Sequence, residues 1–163
     1  MSNKSPIIFL NIDGVLISEE YIMGLAKNLD LLYRKIENKY IMNFEIDKIN
    51  ILKDIIDKTN AYIVIASSWT KDNNLEDIKK IFKEYELDKR VIDITPYLCK
   101  RRGYEVKEWL NKNINNFEFL DKEHILIIDD QKIGCLEDYH IKVNPKIGIT
   151  TNDSKQIIKR LKR

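Results

Sequence analysis

The stretch PIIFLNIDGVL at residues 6–16 determines the expected class of fold. Residues 6–10 are apolar throughout, as expected of a strand buried on both faces of a parallel sheet. Asn11 and Asp13 follow it two positions apart, so they project to the same side of an extended chain. Gly14 then permits a sharp departure of the backbone. Because open α/β sheets bind ligands outside the carboxyl ends of their strands, this stretch predicts a ligand site at the end of a strand.

The rest of the chain alternates short apolar runs with amphipathic stretches, which predicts an α/β fold with a central, mostly parallel sheet flanked by helices. The expected strands are 61–66, 90–94, 125–128 and, at an edge, 140–143. The expected helices are 45–59, 75–87, 105–114 and a C-terminal helix capped by Asn152 or Asp153. Residues 18–44 interrupt the alternation, and their apolar positions at helical spacing predict a small helical cap insertion. We therefore expect one domain over residues 1–163, with a cap at 18–44.

Length and composition agree with a single folded domain. The chain has 163 residues, of which 44% are hydrophobic and 33% charged, unlike a disordered chain. Its 28 Lys and Arg against 26 Asp and Glu give a formal charge of +2, so any attraction to nucleic acid must be local.

No stretch approaches the roughly 18 apolar residues of a membrane span. Cys99 and Cys135 lack the spacing of a zinc site or a disulfide framework. We therefore expect a cytoplasmic protein, and one that binds no membrane.

Two more polar groups follow predicted strands. Ser67 and Ser68 come after the second strand, where hydroxyls can bond an anionic oxygen. Asp129 and Asp130 come after a later strand, and adjacent carboxylates suit a hard cation such as Mg²⁺. Each group alone fits an ordinary turn or helix cap. Because all of them lie at predicted strand ends, together they indicate one shared site.

These motifs resemble those of the haloacid dehalogenase (HAD) superfamily of phosphatases. The resemblance rests on the stretch at 6–16, on IVIASSW at 63–69 and on ILIIDD at 125–130. In addition, KRRGYEVKEWL at 100–110 is similar to a segment of small HAD domains associated with RNA-repair proteins. The resemblance covers nearly the whole chain. It implies a Rossmann-like HAD fold.

The resemblance also implies a role for each matching residue. In such phosphatases the first motif position attacks phosphorus and forms an aspartyl-phosphate. That position is Asn11 here. Asp13 would protonate the leaving oxygen and then activate water, while Ser67 would bind a phosphoryl oxygen. A lysine would balance the negative charge of the phosphoryl group, and Lys100 is the first choice with Lys107 as the alternative.

A Mg²⁺ site follows from the same resemblance. Its ligands would be the side chain at position 11, the backbone carbonyl of Asp13 and Asp129, with Asp130 acting through water or by orienting the others. A neutral amide at position 11 has neither the charge nor the nucleophilicity for the attack, so the chain as written should turn over little or no substrate. Asn11 fits either an isosteric change made to trap substrate or a natural pseudoenzyme. The retained Asp and Ser motif residues favour the first.

The expected substrate is a phosphate on a nucleotide or a nucleic-acid end, because a short insertion leaves the strand ends accessible. Arg101 and Arg102 would add phosphate affinity, and Ser68 would lie close to the phosphate. Trp69 or Tyr104 could stack a base, although Trp69 could equally pack under the cap. Small-metabolite phosphates and a non-catalytic phosphate-binding or regulatory module remain alternatives. We expect a monomer or a weak dimer.

Two other classes fit the sequence less well. A receiver-like signalling domain would carry its acidic pair after the first strand, whereas Asp129 and Asp130 follow a late one. The sequence also contains no GxxxxGK[ST] motif, which disfavours a P-loop kinase.

Overall fold

A parallel five-stranded sheet forms the centre of the protein, as the alternating pattern predicts. The computed structural model describes residues 4–162. Its strands are β1 (Ser5–Leu10), β2 (Tyr33–Ile36), β3 (Lys39–Met42), β4 (Tyr62–Ile65), β5 (Val91–Ile94), β6 (Leu120–Asp129) and β7 (His140–Lys142). The sheet order is β5-β4-β1-β6-β7, with every neighbouring pair parallel. The strand that carries the first motif is therefore central.

Helices cover both faces of this sheet. They are α1 (Glu19–Leu25), α2 (Leu29–Leu32), α3 (Ile46–Thr59), α4 (Leu75–Lys83), α5 (Arg102–Asn113) and α6 (Thr151–Leu161). Successive β1 side chains belong to different faces: Ile8 and Leu10 pack with α3, α4 and α6, whereas Ile7 and Phe9 pack with α5. Burial on both faces explains why β1 is apolar at consecutive positions.

Several element boundaries differ from the sequence prediction: α4 ends at Lys83 rather than at residue 87, α5 begins at Arg102 rather than at Glu105, and two further elements start earlier than predicted. The helix α6 begins with a capping box in which Thr150 is the N-cap and Asp153 the third helical residue, so neither Asn152 nor Asp153 is the cap. The strand β6 begins at Leu120 rather than Ile125, with an irregularity in its pairing to β1.

The insertion at 18–44 is helical only in its first half, so the prediction of a helical cap is wrong for its second half. After α1 and α2, the strands β2 and β3 pair antiparallel in a hairpin. Glu37 adopts a φ of 55° between them, which supplies the left-handed residue that a two-residue hairpin loop needs. Ile36 fits the helical spacing of Leu25, Leu29 and Leu32, but it is the last residue of β2.

The hairpin packs beside α4. Glu37 forms an ion pair of 2.6 Å with Lys80, and Arg34 donates from Nη2 to the carbonyl oxygen of Ile81 at 3.1 Å. Just after the hairpin, Phe44 stacks on Tyr85 with ring centroids 5.0 Å apart. The insertion is thus attached to the α4 side of the sheet. Within residues 4–162 no helix is both long and apolar enough to cross a bilayer.

Candidate active site

The first motif turns sharply after β1, and the turn brings it against the end of β6. The backbone N–H of Asn11 donates to the carbonyl oxygen of Ile128 at 3.0 Å. Gly14 then has a φ of +76°, and a Cβ placed there would lie 2.6 Å from Cγ of Asp130. Glycine is therefore required both for the turn and for the approach of the Asp130 carboxylate. The motif and the acidic pair are neighbours, as predicted.

Three oxygen atoms converge on the side chain of Asn11, which is only 6% exposed. Its Nδ2 donates to the backbone oxygen of Asp13 at 2.8 Å and to Oδ1 of Asp130 at 2.9 Å. It also lies 3.5 Å from Oδ1 of Asp129. An amide carries two N–H hydrogens for these three acceptors. The neutral donor at position 11 thus lies among three oxygens that would otherwise face each other.

The same oxygens are the donor set expected for Mg²⁺. Carboxylate and carbonyl oxygens are the hard ligands that this cation prefers, so the residues present fit it. No cluster of three or more His, Cys, Asp and Glu suited to a metal occurs within the described range. The carboxylates that lie within 3.5 Å of the Asn11 amide nitrogen are those of Asp129 and Asp130.

Asp129 is held from two directions at the end of β6, where it is 1% exposed. Its Oδ1 accepts from the backbone N–H of Gln131 at 2.9 Å, and its Oδ2 accepts from Nε of Arg102 at 3.1 Å. Burial raises the pKa of Asp129 above its ordinary value, and these hydrogen bonds offset the rise only in part. The carboxylate is fixed in orientation, with Oδ1 directed toward Asn11.

Arg102, predicted to bind substrate, links this carboxylate to a second buried acid. Its Nη1 donates to Oε2 of Glu105 at 2.6 Å, while its own side chain is 15% exposed. Glu105 is 1% exposed, and its Oε1 accepts from the backbone N–H of Leu98 at 2.9 Å. Gly103 allows α5 to begin close to the loop that follows β6, because a Cβ at position 103 would lie 2.3 Å from the carbonyl oxygen of Cys135. The guanidinium thus ties the loop before α5 to Asp129.

A cavity of about 710 Å³ opens beside these acids. Asn11, Asp129 and Asp130 line it. Basic side chains form much of its wall: Lys100, Arg101, Arg102, Lys132 and Lys142. Of the two candidate lysines, Lys100 lines the cavity and Lys107 does not, since Lys107 is exposed on α5 outside the lining.

Sequence reasoning missed two of these basic residues. Lys142 is the last residue of β7, and Lys132 lies in the loop after β6. The rule that ligands bind at the carboxyl ends of parallel strands would have indicated Lys142, because β7 neighbours β6 in the sheet. Lys132 gives no such signal, since its position depends on the path of an irregular loop.

The second motif, at residues 63–69, includes the end of β4, which pairs with β1 on the side opposite β6. Ser67 is completely buried, its Oγ accepts from the backbone N–H of Trp69 at 3.3 Å, and it caps a short 3₁₀ helix that starts at Ser68. The backbone N–H of Ala66 donates to the carbonyl oxygen of Leu10 at 2.9 Å, which sets this segment beside the first motif. Ser68 is exposed, and neither serine belongs to the lining of the 710 Å³ cavity.

Trp69 packs under the insertion and bonds to Asp13. Its ring lies 5.6 Å from that of Phe44, and its Nε1 donates to Oδ2 of Asp13 at 3.1 Å. Trp69 therefore packs under the insertion, and base stacking by Trp69 stays a prediction. Desolvation by the surrounding protein raises the pKa of Asp13, and the nearby Asp130 charge adds to the rise, while the Trp69 bond and Arg102 lower it. A raised pKa suits a carboxyl group that donates a proton.

The parallel sheet and the acidic groups at the ends of its strands define this protein as a HAD-type domain, a class of phosphatase-like hydrolases. Residues 7–154 match the family described as the HAD domain in Swiss Army Knife RNA repair proteins, so the chain belongs to that family. Both the HAD fold and the RNA-repair-associated subgroup predicted from the sequence are confirmed. HAD domains generally use Mg²⁺. Comparison with curated proteins gives no match.

Proposed function

We propose that this domain is a Mg²⁺-dependent phosphomonoesterase for a nucleotide or a nucleic-acid end, and that Asn11 at its nucleophile position makes this form inactive. One observation carries the proposal. The backbone oxygen of Asp13 and the Oδ1 atoms of Asp129 and Asp130 all lie within 3.5 Å of the Asn11 amide nitrogen. This is the arrangement expected around a carboxylate at position 11 that shares a cation with them.

With Asp at position 11, its carboxylate would attack phosphorus while the bond to the leaving oxygen breaks, giving an aspartyl-phosphate. Asp13 would pass its proton to the leaving oxygen. Asp13 would then remove a proton from water as the water attacks the same phosphorus, which releases phosphate and restores the carboxylate. The Asn11 amide is uncharged, so the first of these steps fails.

The remaining residues support these steps. The side chain at position 11, the carbonyl oxygen of Asp13 and Asp129 would hold Mg²⁺, with Asp130 orienting them. The cation would supply positive charge that reduces repulsion between the acids and a phosphate. Lys100 would balance the phosphoryl charge, and the buried Ser67 would bind a phosphoryl oxygen.

The cavity supports a nucleotide or a nucleic-acid end as substrate. Five basic side chains line it although the whole chain carries a formal charge of only +2. No residue of the insertion at 18–44 belongs to that lining, so a long substrate can approach from outside. Concentrated positive charge at an open site favours a polyanion over a small sugar phosphate.

A second candidate is a non-catalytic phosphate-binding module, which the bonding of Asn11 favours. Its amide satisfies Asp13 and Asp130 directly, so this arrangement does not depend on a bound cation. Such a module would keep the basic cavity and the fold without turnover.

Phosphate release distinguishes the two. We would compare the chain as it stands with Asn11→Asp, in Mg²⁺, on nucleotides, on oligonucleotides phosphorylated at either end and on sugar phosphates. Asn116→Asp, on an exposed residue, adds the same charge away from the site and serves as the control. We expect release only from Asn11→Asp and fastest release from a nucleotide or an oligonucleotide.

Two results would contradict the proposal. If Asn11→Asp binds phosphorylated oligonucleotides but releases no phosphate, the binding module replaces the enzyme. If Asn11→Asp releases phosphate fastest from sugar phosphates, the substrate class is wrong.

A further inference from the structure

A second cavity, of about 370 Å³, lies at the end of β5. Its wall includes Thr95, Tyr97 and Leu98, from the loop that follows β5. The next residues of that loop, Cys99 and Lys100, line the 710 Å³ cavity. Because consecutive Cα atoms are only about 3.8 Å apart, the two cavities share this loop as a common boundary.

Thr95 has a buried hydroxyl without a partner. The residue is 1% exposed, and its Oγ1 makes no hydrogen bond to any residue between 4 and 162. Buried hydroxyl groups are normally bonded, because leaving one unpaired is unfavourable. Because Thr95 lines the 370 Å³ cavity, a polar group bound there is a candidate partner for this hydroxyl.

Tyr97 gives the same cavity an aromatic wall. It is 40% exposed, and Nζ of Lys71 lies 5.8 Å from the centroid of its ring. An accessible aromatic ring is the surface on which nucleic-acid-binding proteins stack bases. A volume of about 370 Å³ lies in the range of small-molecule sites.

The charges of this wall indicate a neutral ligand rather than a second phosphate. The charged residues that line it are Asp93, Glu108 and Lys112. The Asp93 carboxylate accepts from Nε1 of Trp109 at 2.7 Å, a neutral partner that leaves its negative charge in place. Glu108 is paired with Lys112. An anionic group would meet the Asp93 charge, whereas a nucleobase would meet hydrogen-bonding groups and the Tyr97 ring.

We propose that the 370 Å³ cavity binds the nucleoside attached to the reacting phosphate, with the base stacked on Tyr97 and hydrogen-bonded to Thr95. The phosphate would lie in the basic 710 Å³ cavity on the other side of the loop. This inference rests on the proposed function, because it assumes that the first cavity holds the substrate phosphate. It gives the domain a means to distinguish nucleotides from other phosphomonoesters.

Binding to the chain as it stands tests this site without turnover. Calorimetric titration would compare inorganic phosphate with dinucleotides phosphorylated at either end, for the unchanged chain, Tyr97→Leu and Thr95→Val. Tyr139→Leu, on a tyrosine that is 37% exposed and outside both linings, is the control. We expect a dinucleotide to bind more tightly than phosphate, and Tyr97→Leu to weaken dinucleotide binding at least about five-fold, the lower end for a lost stacking contact, with a smaller effect on phosphate.

Thr95→Val distinguishes a role in ligand binding from a role in stability, because the two predict opposite changes in the melting temperature of the free protein. Removing an unpaired hydroxyl should raise the melting temperature of the free protein while weakening dinucleotide binding. Equal effects of Tyr97→Leu on both ligands, or dinucleotide affinity no higher than phosphate affinity, would overturn the nucleoside site and leave the proposed function standing. If Asn11→Asp released no phosphate from any substrate, the proposed function would fail, and with it the basis of this site.

Discussion

Replacing Glu105 by Gln tests the network that joins the loop before α5 to Asp129. Glu105 is 1% exposed and accepts two hydrogen bonds, from Nη1 of Arg102 at 2.6 Å and from the backbone N–H of Leu98 at 2.9 Å. Glutamine keeps one acceptor oxygen, so one of these bonds is lost. Its NH₂ group then faces a second donor.

The expected loss of stability follows from the burial of the pair. Breaking a buried ion pair costs about 3–5 kcal/mol, and a single hydrogen bond to a charged group contributes about 1.5–3 kcal/mol. Arg102 is 15% exposed and keeps its bond to Asp129, so the loss should fall near the lower figures, at about 2–4 kcal/mol. In a chain of this length each kcal/mol lowers the melting temperature by roughly 2–4 °C.

Urea denaturation followed by circular dichroism measures this loss directly. Glu108→Gln is the matched control, because Glu108 lies on the same helix and pairs with Lys112, whose side chain is 71% exposed. The control should lose less than about 0.5 kcal/mol. A loss for Glu105→Gln no larger than the control would refute the structural role of the network.

Gly14→Ala should lower the free energy of unfolding by about 1–3 kcal/mol and weaken Mg²⁺ binding, because its Cβ would meet Asp130 at a φ of +76°; values equal to those of the unchanged chain in urea denaturation and calorimetry would contradict this. Lys142→Gln should weaken the binding of phosphorylated oligonucleotides and reduce by about 1 the slope of log affinity against log salt concentration. Lys107→Gln, outside the cavity, should change neither. Burial raises the pKa of Asp121, but hydrogen bonds from backbone N–H groups and an imidazole hold it below its ordinary value. Since the stability that Asp121 contributes is lost as pH falls through its folded-state pKa, the difference in melting temperature between the unchanged chain and Asp121→Asn should be constant above about pH 5 and shrink as pH falls below about 4; a difference that stays constant below about pH 4 would contradict this.

The sequence was sufficient to predict the sheet and the acidic part of the site. Apolar runs such as Ile7–Leu10 can be buried on both faces only in a covered parallel sheet. The carboxyl ends of such strands meet at one edge, so Asn11, Asp13 and Asp129 could be brought together from their positions alone.

The remaining features depend on contacts between distant segments. Ile36 fits the helical spacing of Leu25, Leu29 and Leu32. The pairing of residues 33–42 as a hairpin depends instead on the turn at Glu37 and on packing against α4. The link between Glu105 and Asp129 depends on how closely α5 approaches β6. Local patterns do not specify such distances, and for the same reason the bond between Trp69 and Asp13 was not predicted.

Trapping the phosphorylated protein tests the central claim most directly. The variant Asn11→Asp combined with Asp13→Asn restores the nucleophile and removes the group that would activate water. With p-nitrophenyl phosphate, whose leaving group needs no proton, the first step can proceed and the second is slowed. After incubation in Mg²⁺, intact and peptide mass spectrometry should show one phosphoryl group on residue 11. A variant that binds Mg²⁺ but gains no phosphoryl group, or gains it on another residue, would contradict the assignment of position 11 as the nucleophile.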